Sequence, residues 1–204
     1  MKEKNTLFYR FITWIARPFF KILYNVKIVG KERIPEIGPI IFAGNHLNIK
    51  DQLPVIASTK RVIHWMSKKE YFDGKHAWFF KKMKCICVDR ENHGGDSLDI
   101  AKSYLLNSSA IGIFPEGTRN KTKEELLPFK IGTVYLAQKT KATIVPFAIT
   151  GDFKIRSKNT VLRYGIPFKI NPEDDLKQQN EYLRKTILKL QQINYQETGY
   201  DKKI

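Results

Sequence analysis

A histidine and a carboxylate five residues apart, in Asn45-His46-Leu47-Asn48-Ile49-Lys50-Asp51, are the residues of this chain best suited to chemistry. An imidazole held at one nitrogen by a carboxylate has a fixed tautomer, and its other nitrogen can take a proton from a hydroxyl. The spacing alone does not join them. On a regular helix, positions i and i+5 lie roughly 140° apart at 3.6 residues per turn. His46 and Asp51 meet only if the segment between them turns, with Asp51 near the start of a following helix. Otherwise they are polar loop residues facing water. A second polar group, Glu116-Gly117-Thr118-Arg119, comes later in the chain.

Both groups follow short apolar runs. Residues 39–44 (Pro-Ile-Ile-Phe-Ala-Gly) read as a buried strand, left on a Gly and an Asn, both common in loops. Residues 111–114 (Ile-Gly-Ile-Phe) read as another, running through Pro115 into the second group. In open α/β sheets, crevices at the carboxyl ends of strands are where ligands bind. Both polar groups therefore come at a strand's carboxyl end.

Taken together, Asn45-His46-x4-Asp51 and Phe114-Pro115-Glu116-Gly117-Thr118-Arg119 resemble the two signature motifs of the glycerolipid acyltransferases. Within that family the chain is most similar to the bacterial 1-acyl-sn-glycerol-3-phosphate (lysophosphatidic acid) acyltransferases. Val88-Asp89-Arg90, Phe129-Lys130-Ile131-Gly132 and Ile144-Val145-Pro146-Phe147-Ala148 resemble further blocks of the family, in the family's order. The resemblance spans roughly residues 25–170. It departs from the family at Asn48, where many members carry Ser, and in a short N-terminal region.

The resemblance implies a single α/β domain: a central mixed, largely parallel sheet flanked by helices. It implies an O-acyltransferase of phospholipid synthesis, with acyl-CoA or acyl-carrier protein as donor and lysophosphatidic acid as acceptor. His46 would be the general base and Asp51 its support. Arg119, with Arg90, Gly117 and Thr118, would bind the acceptor phosphate. Glu116 would hold the acceptor, orient an arginine, or serve as a structural ion pair. No cofactor or metal is expected. A related enzyme acylating glycerol-3-phosphate or another alcohol remains an alternative. A basic membrane or nucleic-acid binding module would leave both motifs unexplained, so no nucleic-acid partner is expected.

The composition agrees. The 204 residues carry a formal charge of +16, which favours nucleic acid, acidic lipid or a phosphorylated substrate. The only two cysteines, Cys85 and Cys87, stand too close in sequence for an unstrained disulfide and fit a reducing compartment. They carry no zinc-ligand spacing with His64, His76 or His93.

Residues 1–26 are expected to form a separate membrane-associating segment ahead of an acyltransferase domain at 27–204. Apolar residues recur there near helical spacing, and Pro18 suggests a pair of short amphipathic helices. Phe8, Phe11, Trp14 and Phe19 would enter the surface of an anionic membrane. The longest uncharged stretch, residues 11–16, falls far short of the ~20 apolar residues a spanning helix needs. The expected location is peripheral, on the cytoplasmic face of the membrane. Residues 68–84, basic and aromatic, could lie on that membrane, stack nucleobases, wall an acyl groove or form a plain amphipathic helix. His64 reads as a packing or surface histidine. Residues 171–175 (Asn-Pro-Glu-Asp-Asp) read as a helix start, with Asn171 as the cap.

Overall fold

The computed structural model describes residues 6–89 and 95–200, without the side chains of Phe19 and Lys21. In chain order these residues form α1 (Leu7–Tyr24), β1 (Lys27–Val29), a 3-10 turn (Lys31–Arg33), β2 (Ile40–Gly44) and α2 (Gln52–Ser58). There follow β3 (Ile63–Lys68), α3 (Glu70–Asp73), α4 (Ala77–Lys82), β4 (Ile86–Val88), α5 (Gly95–Leu106) and β5 (Ala110–Ile113). The chain ends with α6 (Gly132–Thr140), β6 (Thr143–Thr150), β7 (Val161–Tyr164) and α7 (Leu176–Thr198).

Every residue of β2 and β5 is buried. That is why both read as continuous apolar runs rather than alternating ones, as parallel strands covered on both faces do. Among the described residues, seven strands form one sheet in the order β1-β7-β6-β2-β5-β3-β4. β6, β2, β5, β3 and β4 run parallel, with Phe42 of β2 facing Gly112 on one side and Val145 on the other. β7 runs antiparallel to β6, and β1 pairs with β7. The mixed, largely parallel sheet expected above is present. It sends the ends of β2 and β5, and so both motifs, to the same edge.

Side chains alternate across the sheet with period two. Ile41, Ala43 and Ile111 meet Leu105 of α5, Val134 of α6 and Ile187 of α7 on one face. Ile40, Phe42 and Ala110 meet Tyr9 and Phe20 of α1 and Val55 of α2 on the other. Gly112 makes room for an indole. A Cβ there would run into the ring of Trp65 from the neighbouring strand.

Two expectations about helices are corrected. The N-terminal pair is one helix: α1 runs through Pro18. Proline inside a helix costs about 3 kcal/mol, through a lost N–H and a crowded carbonyl. Burial on both sides of it offsets that cost: Tyr9 is 1% and Phe20 7% exposed, and the Arg17 guanidinium donates to the Thr59 carbonyl. Asn171 does not cap α7. It forms a turn with Asp174, and Asp175 is the cap, its side chain accepting from the N–H of Gln178 at 2.8 Å. The buried stripe of α7 continues through Gln191 and Asn194. Asp96 lies inside the first turn of α5.

Candidate active site

The chain leaves β2 through Asn45, a residue that reads as a loop former. It is fully buried instead, and its side-chain amide continues the sheet. Its Nδ2 donates to the Ile149 carbonyl at 2.8 Å, and its Oδ1 accepts from the Ile149 N–H at 2.7 Å. His46 comes next and is therefore launched from a fixed point at the sheet edge.

Residues 47–51 then turn, and the turn is built around one carboxylate oxygen. Oδ2 of Asp51 accepts from the N–H of Leu47 at 2.7 Å and of Asn48 at 2.7 Å, and lies 2.9 Å from Nδ1 of His46. α2 starts one residue later. This is the turn that the five-residue spacing required. Asp51 is fully buried, while the His46 side chain is 18% exposed. With Nδ1 taken, Nε2 is the ring nitrogen left for a substrate. Burial lifts the Asp51 carboxyl above the ordinary carboxylate range. The imidazole and the two N–H groups pull it back in part. Its Oδ1 has no hydrogen-bond partner among the described residues.

The imidazole is also held by its face. It stacks on Phe114 at 4.0 Å between centroids and 7° between planes, and Phe114 stacks on Trp65 at 5.0 Å. The indole lies where Gly112 leaves space.

The second motif folds over the first. The carbonyl of His46 accepts from the N–H of Asn120 at 2.7 Å, and its own N–H donates to Oε1 of Glu116 at 2.7 Å. Glu116 is 4% exposed, and its Oε2 accepts from the N–H of Leu127 at 2.9 Å. Gly117 has φ +69, and a Cβ there would come within 2.8 Å of the Lys130 side chain.

His46 opens on a cleft of about 960 Å³ at the carboxyl ends of the parallel strands. Gly117, Thr118 and Arg119 line it, as do Lys121 and Lys130. Arg119, Lys121 and Lys130 are exposed, and none of them has a carboxylate partner among the described residues. Trp65, Met66, Tyr71, Phe80, Val88 and Leu98 supply an apolar wall. Neither Lys121 nor Lys130 was among the site residues expected from the sequence, although Lys130 belongs to one of the blocks that resemble the family. Their common signal is position, since both sit on the chain between the Arg119 motif and α6. Arg90 lies outside the described residues.

The remaining candidates are scattered. His64 is buried away from the cleft, stacked on Tyr104 at 3.8 Å, with Nδ1 2.8 Å from the Lys84 carbonyl. It is a packing histidine. The two cysteines are free thiols, and burial pushes that of Cys85 up to about 11. Among the described residues no group of three or more His, Cys, Asp or Glu side chains could hold a metal, and no helix is long and apolar enough to cross a membrane. On α1, Phe11 and Trp14 are 58% and 72% exposed. Phe8 differs from that expectation. It is half-buried, with its ring against Trp78 and Phe79 of α4 at 6.0 and 6.3 Å. The Phe19 side chain is among those not described.

Comparison with known proteins identifies the family. A sequence model of the acyltransferase family matches residues 25–150, which include both motifs and the strands that deliver them. The chain is 35% identical over 147 residues to a 1-acyl-sn-glycerol-3-phosphate acyltransferase of Bacillus subtilis, covering 70% of this chain and 71% of that one. It is 33% identical over 135 residues to the enzyme of that name from Helicobacter pylori, covering 63% and 56%. In fold it resembles the crystal structure of the 1-acyl-sn-glycerophosphate (LPA) acyltransferase from Thermotoga maritima. The TM-score is 0.72 at 18% identity, over 100% of this chain and 86% of the other. The chain belongs to the acyltransferase family, among its O-acyltransferases.

Proposed function

We propose that the protein transfers a fatty acyl group from acyl-CoA or acyl-carrier protein to the sn-2 hydroxyl of 1-acylglycerol-3-phosphate, giving phosphatidic acid. One observation carries this reading. The dyad opens on a cleft that joins cations without a carboxylate partner among the described residues to an apolar wall, as a substrate with a phosphate and a fatty chain requires. The names of the relatives support the same acceptor.

Nε2 of His46 takes the hydroxyl proton as the hydroxyl oxygen attacks the thioester carbon. Asp51 keeps the imidazole in the required tautomer and steadies its positive charge. The C–S bond then breaks, and the departing thiolate recovers the proton from His46. Transfer is direct, and no acyl-enzyme forms. The raised thiol of Cys85 supports this, because a thiol must ionise to become a nucleophile. Arg119, with Thr118, Gly117 and Arg90, holds the acceptor phosphate, and Lys121 and Lys130 add to its field. The acyl chain lies along the apolar wall.

The exposed apolar side of α1, with Phe11 and Trp14, meets the anionic, cytoplasmic face of the membrane, and the basic surface strengthens that contact. The enzyme needs no cofactor.

The test is an acceptor screen with one labelled acyl-CoA. Lysophosphatidate should be acylated far faster than glycerol-3-phosphate or monoacylglycerol. A preference for glycerol-3-phosphate would move the enzyme to an earlier acylation. Equal rates on all three would remove the phosphate from the account.

A further inference from the structure

Glu116 stands between two residues that line the cleft, Pro115 and Gly117, yet it does not line the cleft itself. Its side chain is buried, 4% exposed. One oxygen takes the N–H of His46 and the other the N–H of Leu127, at 2.7 and 2.9 Å. Hydrogen bonds to an ionised acceptor are among the stronger ones in proteins. From this geometry we infer that Glu116 is a positioning residue, which fixes the His46 backbone to the loop carrying Arg119 and touches neither substrate.

The requirement it meets is one of spacing. In the reaction proposed above, on which this inference rests, the phosphate lies at Arg119 while the hydroxyl lies at Nε2 of His46. Asp51 and Phe114 fix the ring but not the distance from His46 to the phosphate-binding loop. That distance is set by two peptide contacts from residues of one loop. Glu116 accepts from the N–H of His46, and Asn120 donates to its carbonyl at 2.7 Å. Thr118 and Arg119 lie between those two contacts. The second oxygen of Glu116 ties in the far end of the same loop at Leu127. The base and the phosphate cations are thus held as one piece.

Conservative substitutions test this. In Glu116→Gln one of the two N–H groups meets an amide donor in place of an acceptor. In Glu116→Asp the side chain is one methylene short of spanning both. A misplacement of about 1 Å can cost about 10²-fold in rate. Both variants should therefore lose about 10- to 100-fold in kcat, while the lysophosphatidate KM stays within about 3-fold of wild type. The slow hydrolysis of acyl-CoA by water should fall much less, because water carries no phosphate to be placed and Asp51 and Phe114 still hold the ring. A rise in acceptor KM at unchanged kcat would overturn the inference and return Glu116 to acceptor contact, and hydrolysis lost by the same factor as transfer would overturn it by making Glu116 a support of the ring alone.

If neither variant folds, the amide proton of His46 in the wild-type protein decides instead. Slow exchange and a downfield shift are expected, and rapid exchange would contradict the clamp. That measurement needs no substrate, so it also separates the inference from the function proposed above. Wild-type protein without acceptor-dependent thiol release would sink the function and leave the clamp to be judged on the amide.

Discussion

At the scale of single residues, His46 and Asp51 carry the most exposed claims. His46→Ala should lower turnover about 10²- to 10⁴-fold, the usual worth of a general base, in a protein that still folds. Near-normal turnover would contradict the mechanism. Asp51→Asn should be comparably inactive, since an amide cannot steady an imidazolium, but its stability should behave differently. Burial lifts the Asp51 carboxyl above its ordinary value of 3.8, so the folded protein binds that proton more tightly than the unfolded chain. The stability Asp51 contributes is present below 3.8 and lost as pH rises through the folded value. The variant has no such loss. Near about pH 7 its Tm should equal or exceed that of wild type, and the margin should shrink toward about pH 4. A Tm deficit that grows with pH would show that the charged form stabilises the fold. The condition for His46 to meet Asp51, a turn ending near a helix start, was legible in the sequence, and the family resemblance chose that reading over two loop residues facing water. Asn45 and Glu116 were not. Their partners are backbone groups distant in the chain, and every residue offers the same N–H and carbonyl.

At the scale of elements, α1 shows what a pattern can and cannot reveal. The aromatic-rich helix was legible, and so was the role of Phe11 and Trp14 as outward residues. The continuity through Pro18 was not, because it depends on Tyr9 and Phe20 finding a core that lies elsewhere in the sequence. In the same way, the α7 cap was misplaced by four residues. Asn171 and Asp175 are both good caps by type, and only the packing of Leu183 and Ile187 chooses between them. The consequence for experiment is direct. Deleting α1 removes buried side chains and should destabilise the domain, so it cannot isolate membrane contact. The double substitution Phe11→Ser with Trp14→Ser alters only exposed positions. It should weaken sedimentation with anionic vesicles while Tm changes little, and added salt should weaken binding of the intact protein. Unchanged sedimentation would move the contact elsewhere, with the exposed Trp78 on α4 the next surface to test.

The whole molecule adds its sheet and its charge. The largely parallel sheet was anticipated from the family resemblance, and β2 and β5 from their short apolar runs. The strand order was beyond reach, because a single sequence does not state which run pairs with which. The order matters, since it places β5 beside β2 and so brings Arg119 and His46 to one cleft. If that cleft reads a phosphate, Arg119→Ala should raise the lysophosphatidate KM, and Arg119→Lys should rescue it only in part, because an ammonium lacks the two-pronged fork. Monoacylglycerol acylation should be much less affected. An equal loss on both acceptors would make Arg119 structural.

The central claim is that His46 drives direct transfer to a phosphate-bearing acceptor. It is tested most directly by following thiol release from acyl-CoA with and without lysophosphatidate, in the wild-type protein and in His46→Ala. Release should depend on the acceptor, match phosphatidate formed one for one, and be all but lost in the variant. Stoichiometric release before acceptor is added, or acceptor-dependent release that survives the loss of His46, would contradict the account.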